Sequence, residues 1–218
     1  MFRPAKAKAQ QTVKQKEGRI RYVVIGDSYS NGEGASPNES WPAVLTRHLA
    51  ANGVPVELVA NPSVTGWTTQ QAIDHELPVF RNAKPNFATL QIGVNDWVQG
   101  VDPETFRKNF TFLVDQMLGA LPIKNRLLVV AIPDFGVTPT GPKYARGRDI
   151  SEGIASFNKI VTHESNKRGL LVVDVFELSK KMGDDGSLVA ADGLHPSAKE
   201  YAEWERIIFP VALELLTK

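Results

Sequence analysis

Ile20-Arg21-Tyr22-Val23-Val24-Ile25-Gly26-Asp27-Ser28-Tyr29-Ser30-Asn31-Gly32-Glu33-Gly34 is a short apolar run that breaks into a loop of turn-forming residues. Residues 20–25 read as a buried strand that stops at Gly26, because a continuous apolar run bounded by turn signals suits a strand covered on both faces. The same unit recurs along the chain. Residues 56–60, 87–92, 127–132 and 170–175 read as further strands, and helical patterns separate them. Ser40 is a candidate cap for a helix with Pro42 in its first turn. A helix is expected from about Thr68, kinked or ended by Pro78. Asp102 and Pro103 open an amphipathic helix with Phe106, Phe110, Leu113, Val114, Met117 and Leu118 on one face. Residues 151–168 form another, ending at Gly169, and a capping box at Ser197-Ala198-Lys199-Glu200 starts the last.

Strands that alternate with helices argue for an α/β protein with a parallel sheet and helices on both faces. The expected fold is a three-layer α/β/α sandwich on a flavodoxin-like five-stranded sheet of order 2-1-3-4-5. In such sheets the reactive groups collect beyond the carboxyl ends of the strands.

Composition sets bounds on the chemistry. The 218 residues, 42% hydrophobic and 22% charged, suit one globular core. A formal net charge of +1 gives no general attraction for nucleic acid. Without cysteine there is no disulfide framework, no thiolate zinc site and no cysteine nucleophile. No apolar stretch is long enough for an integral membrane segment. Residues 1–19 are polar and basic and read as a flexible leader, with one domain over residues 20–218. The leader lacks the apolar core of a signal peptide, so the chain as written reads as soluble and cytoplasmic; a signal already removed makes it secreted or periplasmic instead. Oligomeric state is not legible.

The strand-end loops hold a consistent set of groups. Gly26-Asp27-Ser28 follows the first strand, and Asn61-Pro62-Ser63-Val64-Thr65-Gly66-Trp67-Thr68 follows the second. Gly93-Val94-Asn95-Asp96 follows the third, and Asp192-Gly193-Leu194-His195 lies beyond the fifth. A serine hydroxyl needs a base within hydrogen-bond reach, and the base needs an orienting partner. Ser28, His195 and Asp192 supply the three roles. Donors for an oxyanion are the backbone N–H groups of Ser28 and Gly66 and the side-chain amide of Asn95. Tyr29, Trp67 and Trp97 stand beside these loops as candidate substrate-lining residues. Asp96 reads as an ordinary turn former, and Asp27 as support for its turn. His48, His75 and His163 read as surface or structural, and no His, Asp or Glu set suggests a metal site. The irregular loop 133–149 lies over the same edge, and its Lys143, Arg146 and Arg148 are candidates to face an anionic substrate group.

Taken together, Gly26-Asp27-Ser28, Gly66, Gly93-Val94-Asn95-Asp96 and Asp192-Gly193-Leu194-His195 resemble the four sequence blocks of the SGNH (GDSL-type) hydrolases, in order and approximate spacing. The resemblance runs from about residue 20 to the C-terminus. It implies a three-layer α/β/α fold and serine-dependent hydrolysis of a carboxylic ester with no metal or other cofactor. The implied substrate is a small-molecule, glycan or lipid ester. The second block departs from the family at Ser63, where glycine is common. Two alternatives stay open: O-acyl transfer by the same triad, and a non-catalytic glycan- or phosphate-binding module. The glycine-rich stretch after the first strand suits the latter, but it matches neither phosphate-loop pattern.

Overall fold

A computed structural model describes residues 18–218. The expected leader, residues 1–19, thus lies almost wholly outside the described residues. Five parallel strands form one sheet in the order β2-β1-β3-β4-β5, as the alternation of elements predicts. They are β1 (Ile20–Gly26), β2 (Val56–Ala60), β3 (Phe87–Gln91), β4 (Leu127–Val130) and β5 (Val172–Val173). All of β3 and β4, and all of β1 except Arg21, are buried. Central strands of a parallel sheet are covered on both faces, which is why these runs show no polar alternation.

The helices are α1 (Ser28–Asn31), α2 (Trp41–Ala51), α3 (Thr69–Gln71), α4 (Leu77–Ala83), α5 (Val94–Gln99), α6 (Pro103–Ala120), α7 (Ile150–Asn166), α8 (Phe176–Ser179) and α9 (Ala198–Thr217). Helices α2 and α9 pack together as one layer, and α4, α6 and α7 pack in succession as the other. Asp102 caps α6 as expected, accepting from Glu104 and Thr105 N–H, and Phe106, Phe110, Leu113, Val114 and Met117 face the core. Leu118 is only partly buried against it.

Several local expectations are corrected. Pro78 does not end the helix after Thr68, which runs on through a π turn to Ala83. The π turn over Ala72–Glu76 lies directly before it, with Leu77 N–H on Ala72 O, and this local widening is where the helix accommodates the proline's missing N–H. The wider turn also carries Glu76 inwards, where its Oε2 accepts the Gly26 N–H at 2.9 Å. Pairing of β1 with β2 ends at Val23 and Ala60, so Glu76 serves the β1 backbone beyond that strand's reach. Strand β4 stops at Val130 because the Asn158 side chain takes over the pairing, meeting both N–H and C=O of Ile132 at 2.8 Å. Strand β5 is shorter than 170–175 because Asp174 accepts from Phe176 N–H and turns the chain into α8. Ser197 caps α9, but Glu200 does not close a capping box. Its buried carboxylate accepts from Trp204 Nε1 at 2.7 Å. Ser40 stands at the cap position of α2 but donates to Pro37 O.

Candidate active site

The loops beyond β1, β2 and β3 and the turn before α9 meet at one edge of the sheet. Ser28 is the first residue of α1. Asp27 caps it, accepting from Tyr29 N–H at 3.1 Å, and Ser28 is only 4% exposed. Ser28, Gly66, Asn95 and His195, four of the five principal candidates, line one cavity of about 170 Å³. Tyr29, Thr65, Val94, Val98, Phe135, Tyr144 and Leu194 complete its wall.

Asp192 stands behind His195. Its Oδ2 lies 2.6 Å from His195 Nδ1, and its Oδ1 accepts the Leu194 and His195 N–H groups at 2.8 and 3.0 Å. One carboxylate therefore shapes the turn and orients the imidazole. Burial pushes the Asp192 pKa up, but these hydrogen bonds outweigh it and hold the group below the usual carboxylate range. The turn is fixed to its surroundings by Ala190 N–H to His195 O (2.8 Å) and by the Val189–Pro196 bridge. Gly34 is a residue the sequence reading did not single out here. It has φ +91, and a Cβ on it would lie 2.7 Å from Pro196 O and 3.1 Å from His195 Cβ. Only glycine lets the Ser28 loop pack this closely on the histidine turn.

The oxyanion candidates are held by cross-links between loops. Asn95 Nδ2 donates to Trp67 O at 3.0 Å, and Gln99 Nε2 donates to Gly66 O at 3.1 Å. An amide nitrogen carries two hydrogens, so Asn95 keeps one for a ligand. Gly66 has φ +86 with nothing near the position of a Cβ. Ser63, the departure from the family pattern, is buried without a positive φ, so a side chain is accommodated there.

Asp96 is not a local turn former. It lies in the first turn of α5, fully buried, and accepts Thr69 N–H at 2.8 Å and Thr69 Oγ1 at 2.5 Å. It thus ties the start of α3 to the segment carrying Asn95. Nothing local in the sequence signals a partner that far away. Burial raises Asp96 to about 6, with the Thr69 hydrogen bonds opposing. Burial raises Asp27 to about 8, opposed by the Tyr29 N–H and assisted by the Asp96 charge.

Of the aromatic candidates, Tyr29 lines the cavity, with its ring 6.0 Å from His195. Trp67 and Trp97 are not among the lining residues. Trp67 packs near His75, while Trp97 is 5% exposed beneath the Arg148 guanidinium, 3.9 Å away. Arg148 is committed to Trp97 O and Val98 O at 2.7 and 3.2 Å. Lys143 and Arg146 are exposed and do not line the cavity. His48 stacks on Phe209 and meets Glu205. A larger hollow, about 630 Å³ between α7 and β5, includes His163 but none of the candidate groups. Among the described residues no cluster of His, Asp and Glu is placed to hold a metal ion, and no helix is long and apolar enough to cross a membrane.

The sequence pattern of the GDSL-like lipase/acylhydrolase family matches residues 24–202. The chain is 24% identical over 194 residues to esterase TesA of Pseudomonas aeruginosa, covering 89% of this chain and 88% of that one. Among solved structures, a lipase/acylhydrolase from Enterococcus faecalis superposes with a TM-score of 0.73 at 21% identity, over 91% of this chain and 97% of that one. A family 3 carbohydrate esterase from Clostridium thermocellum gives 0.73 at 20% identity, over 91% and 98%. At that identity the two superpositions speak for the fold alone. The matches favour neither a phosphate-binding nor a glycan-binding module.

Proposed function

The chain belongs to the GDSL-like lipase/acylhydrolase family and is an ester hydrolase; we propose that Ser28 is its nucleophile, His195 its general base and Asp192 the group that orients the base. The observation that carries this is the joint lining of one cavity by Ser28, Gly66, Asn95 and His195, with Asp192 bonded to the far ring nitrogen of His195.

In this reading, Ser28 Oγ attacks the ester carbonyl while His195 Nε2 takes its proton. The carbonyl π electrons move to oxygen. The N–H groups of Ser28 and Gly66 and the free Asn95 amide hydrogen stabilise that oxyanion. Collapse breaks the bond to the alkoxy oxygen, which leaves as the alcohol with the proton from His195. Water then attacks the acyl-enzyme, with His195 again accepting and returning a proton, and the carboxylic acid departs. Asp192 stays ionised, which its lowered pKa supports. The substrate is an acylated small molecule, sugar or lipid.

The test is hydrolysis of p-nitrophenyl acetate by wild type and Ser28→Ala at matched concentration. Turnover by wild type and loss of nearly all of it in a folded Ser28→Ala variant is expected. Equal rates refute the assignment of Ser28.

A further inference from the structure

Resting on the esterase reading of the same site, we propose that the cavity beside Ser28 is an acyl pocket whose wall at Tyr144 confines the enzyme to short, uncharged acyl groups. Size is the first argument. At about 170 Å³ the space is well under that of ordinary small-molecule sites, roughly 300–1,000 Å³. It is close to the roughly 150 Å³ of an apolar cavity that holds one benzene ring, so about six carbon atoms fill it.

The lining is the second argument. Beyond the reacting groups, the wall is built by Tyr29, Val94, Val98, Phe135, Tyr144 and Leu194 with Thr65 at the rim, and no Lys, Arg, Asp or Glu takes part. Thr65 Oγ1 already donates to Glu33 at 2.8 Å, which leaves the phenol hydroxyls of Tyr29 and Tyr144 as the other side-chain hydroxyls of the wall beyond Ser28. A hydroxyl-rich alcohol placed here exchanges many hydrogen bonds to water for few from this wall, whereas a hydrocarbon chain gains by leaving water. A charged acyl group finds no counter-charge. The acyl group therefore takes the cavity, and the alcohol faces solvent.

Tyr144 is also held from several sides. It ends the 3-10 turn Gly141–Tyr144, and its ring meets Phe135 edge-on at 6.4 Å. Phe135 meets Trp97 in the same manner at 6.0 Å. The segment is fastened on both sides of Tyr144. Thr140 N–H donates to Gly193 O at 2.8 Å, and Thr140 Oγ1 donates to Asp192 O at 3.2 Å. Downstream, Arg148 binds the carbonyls of Trp97 and Val98. The wall is thus tied to the same turn that carries Asp192 and His195, and a longer chain meets a fixed ring. Tyr144 itself is 38% exposed, so trimming it opens the cavity towards solvent.

The experiment measures kcat/KM for p-nitrophenyl acetate, butyrate, octanoate and laurate with wild type, Tyr144→Ala, Tyr144→Phe and Ser28→Ala. In wild type, acetate or butyrate is expected to be best and octanoate at least roughly tenfold poorer, the scale on which a filled apolar pocket rejects an added methylene. Tyr144→Ala is expected to raise the octanoate-to-butyrate ratio about tenfold, and Tyr144→Phe to leave it unchanged, which a merely destabilising effect does not do. Laurate cleaved as fast as butyrate by wild type overturns the proposal, as does an unchanged ratio in Tyr144→Ala. So does a Tyr144→Ala effect seen only when the alcohol of alkyl acetates is lengthened. Activity that survives Ser28→Ala overturns the esterase reading at Ser28, whatever the chain-length profile. Inertness of wild type to all four esters contradicts both.

Discussion

Replacing Glu76 by glutamine is expected to shift stability towards the variant as pH rises, from a deficit near pH 4 to a gain near pH 9. Glu76 closes the π turn, is fully buried, gives Oε2 to the Gly26 N–H, and has no partner for Oε1. Burial raises its pKa from an ordinary 4.5 to about 9, with the Gly26 N–H opposing and the Asp27 charge adding to the rise. The sign follows from proton uptake. Above 4.5 the unfolded chain has released this proton, while the folded chain holds it up to about 9. Stability from this group is therefore fully present below the unfolded pKa and is lost as pH rises through the folded one, at about 1.4 kcal/mol per pH unit. The loss is roughly 3 kcal/mol near pH 7 and about 6 kcal/mol near pH 9. Glutamine keeps a carbonyl for Gly26 and needs no proton. Its extra N–H has no partner, which costs about 1–3 kcal/mol at every pH. The decisive quantity is the change in the difference between the two proteins, about 3 kcal/mol from near pH 4 to near pH 7. Urea unfolding at about pH 4, 7 and 9 reads it from the midpoints, provided the slope with denaturant is unchanged. A difference that is flat across this range, or that moves in favour of wild type as pH rises, refutes the reasoning.

Two further substitutions probe the site and its support. Asn95→Ala removes an oxyanion donor and the link to Trp67 O, and is expected to lower kcat about 10²–10³-fold; a loss of only a few-fold removes Asn95 from the mechanism. Gly153→Ala in α7 gains about 1 kcal/mol in helix propensity, but its Cβ would lie 1.9 Å from Trp97 Nε1, and such overpacking costs about 1–3 kcal/mol or more. Lower stability in urea is expected, and higher stability contradicts the close packing of α7 on α5.

The strand order was legible because long crossovers and continuous apolar runs leave a parallel sheet few alternatives. The candidate groups were legible for a related reason. Ser28, Gly66 and Asn95 each follow a strand, all strands of a parallel sheet end at the same edge, and the turn before α9 brings Asp192 and His195 back to it. Long-range polar pairing was less accessible. Asp96 bonds Thr69 and Asn158 substitutes for a strand beside Ile132, each against a locally plausible reading. A short side chain beside a turn signal favours a local bond in sequence, and only the fold reveals the more distant partner. Pro78 misled because the π turn before it lets the helix continue past the proline. In the 133–149 loop the charges drew notice, yet the cavity takes Phe135 and Tyr144 and leaves Lys143 and Arg146 outside. Charge is visible in sequence, while the facing of an aromatic ring depends on the turn that carries it.

The central claim is that Ser28 is activated by His195. Incubation with phenylmethylsulfonyl fluoride tests it, with the adduct mapped by peptide mass spectrometry in wild type and in a folded His195→Ala variant. Attack by Ser28 Oγ on sulfur expels fluoride and leaves a sulfonyl ester. One adduct per chain, on Ser28, formed far faster in wild type than in His195→Ala, is the predicted result. An unmodified Ser28, an adduct on another serine, or equal rates in the two proteins contradicts the account.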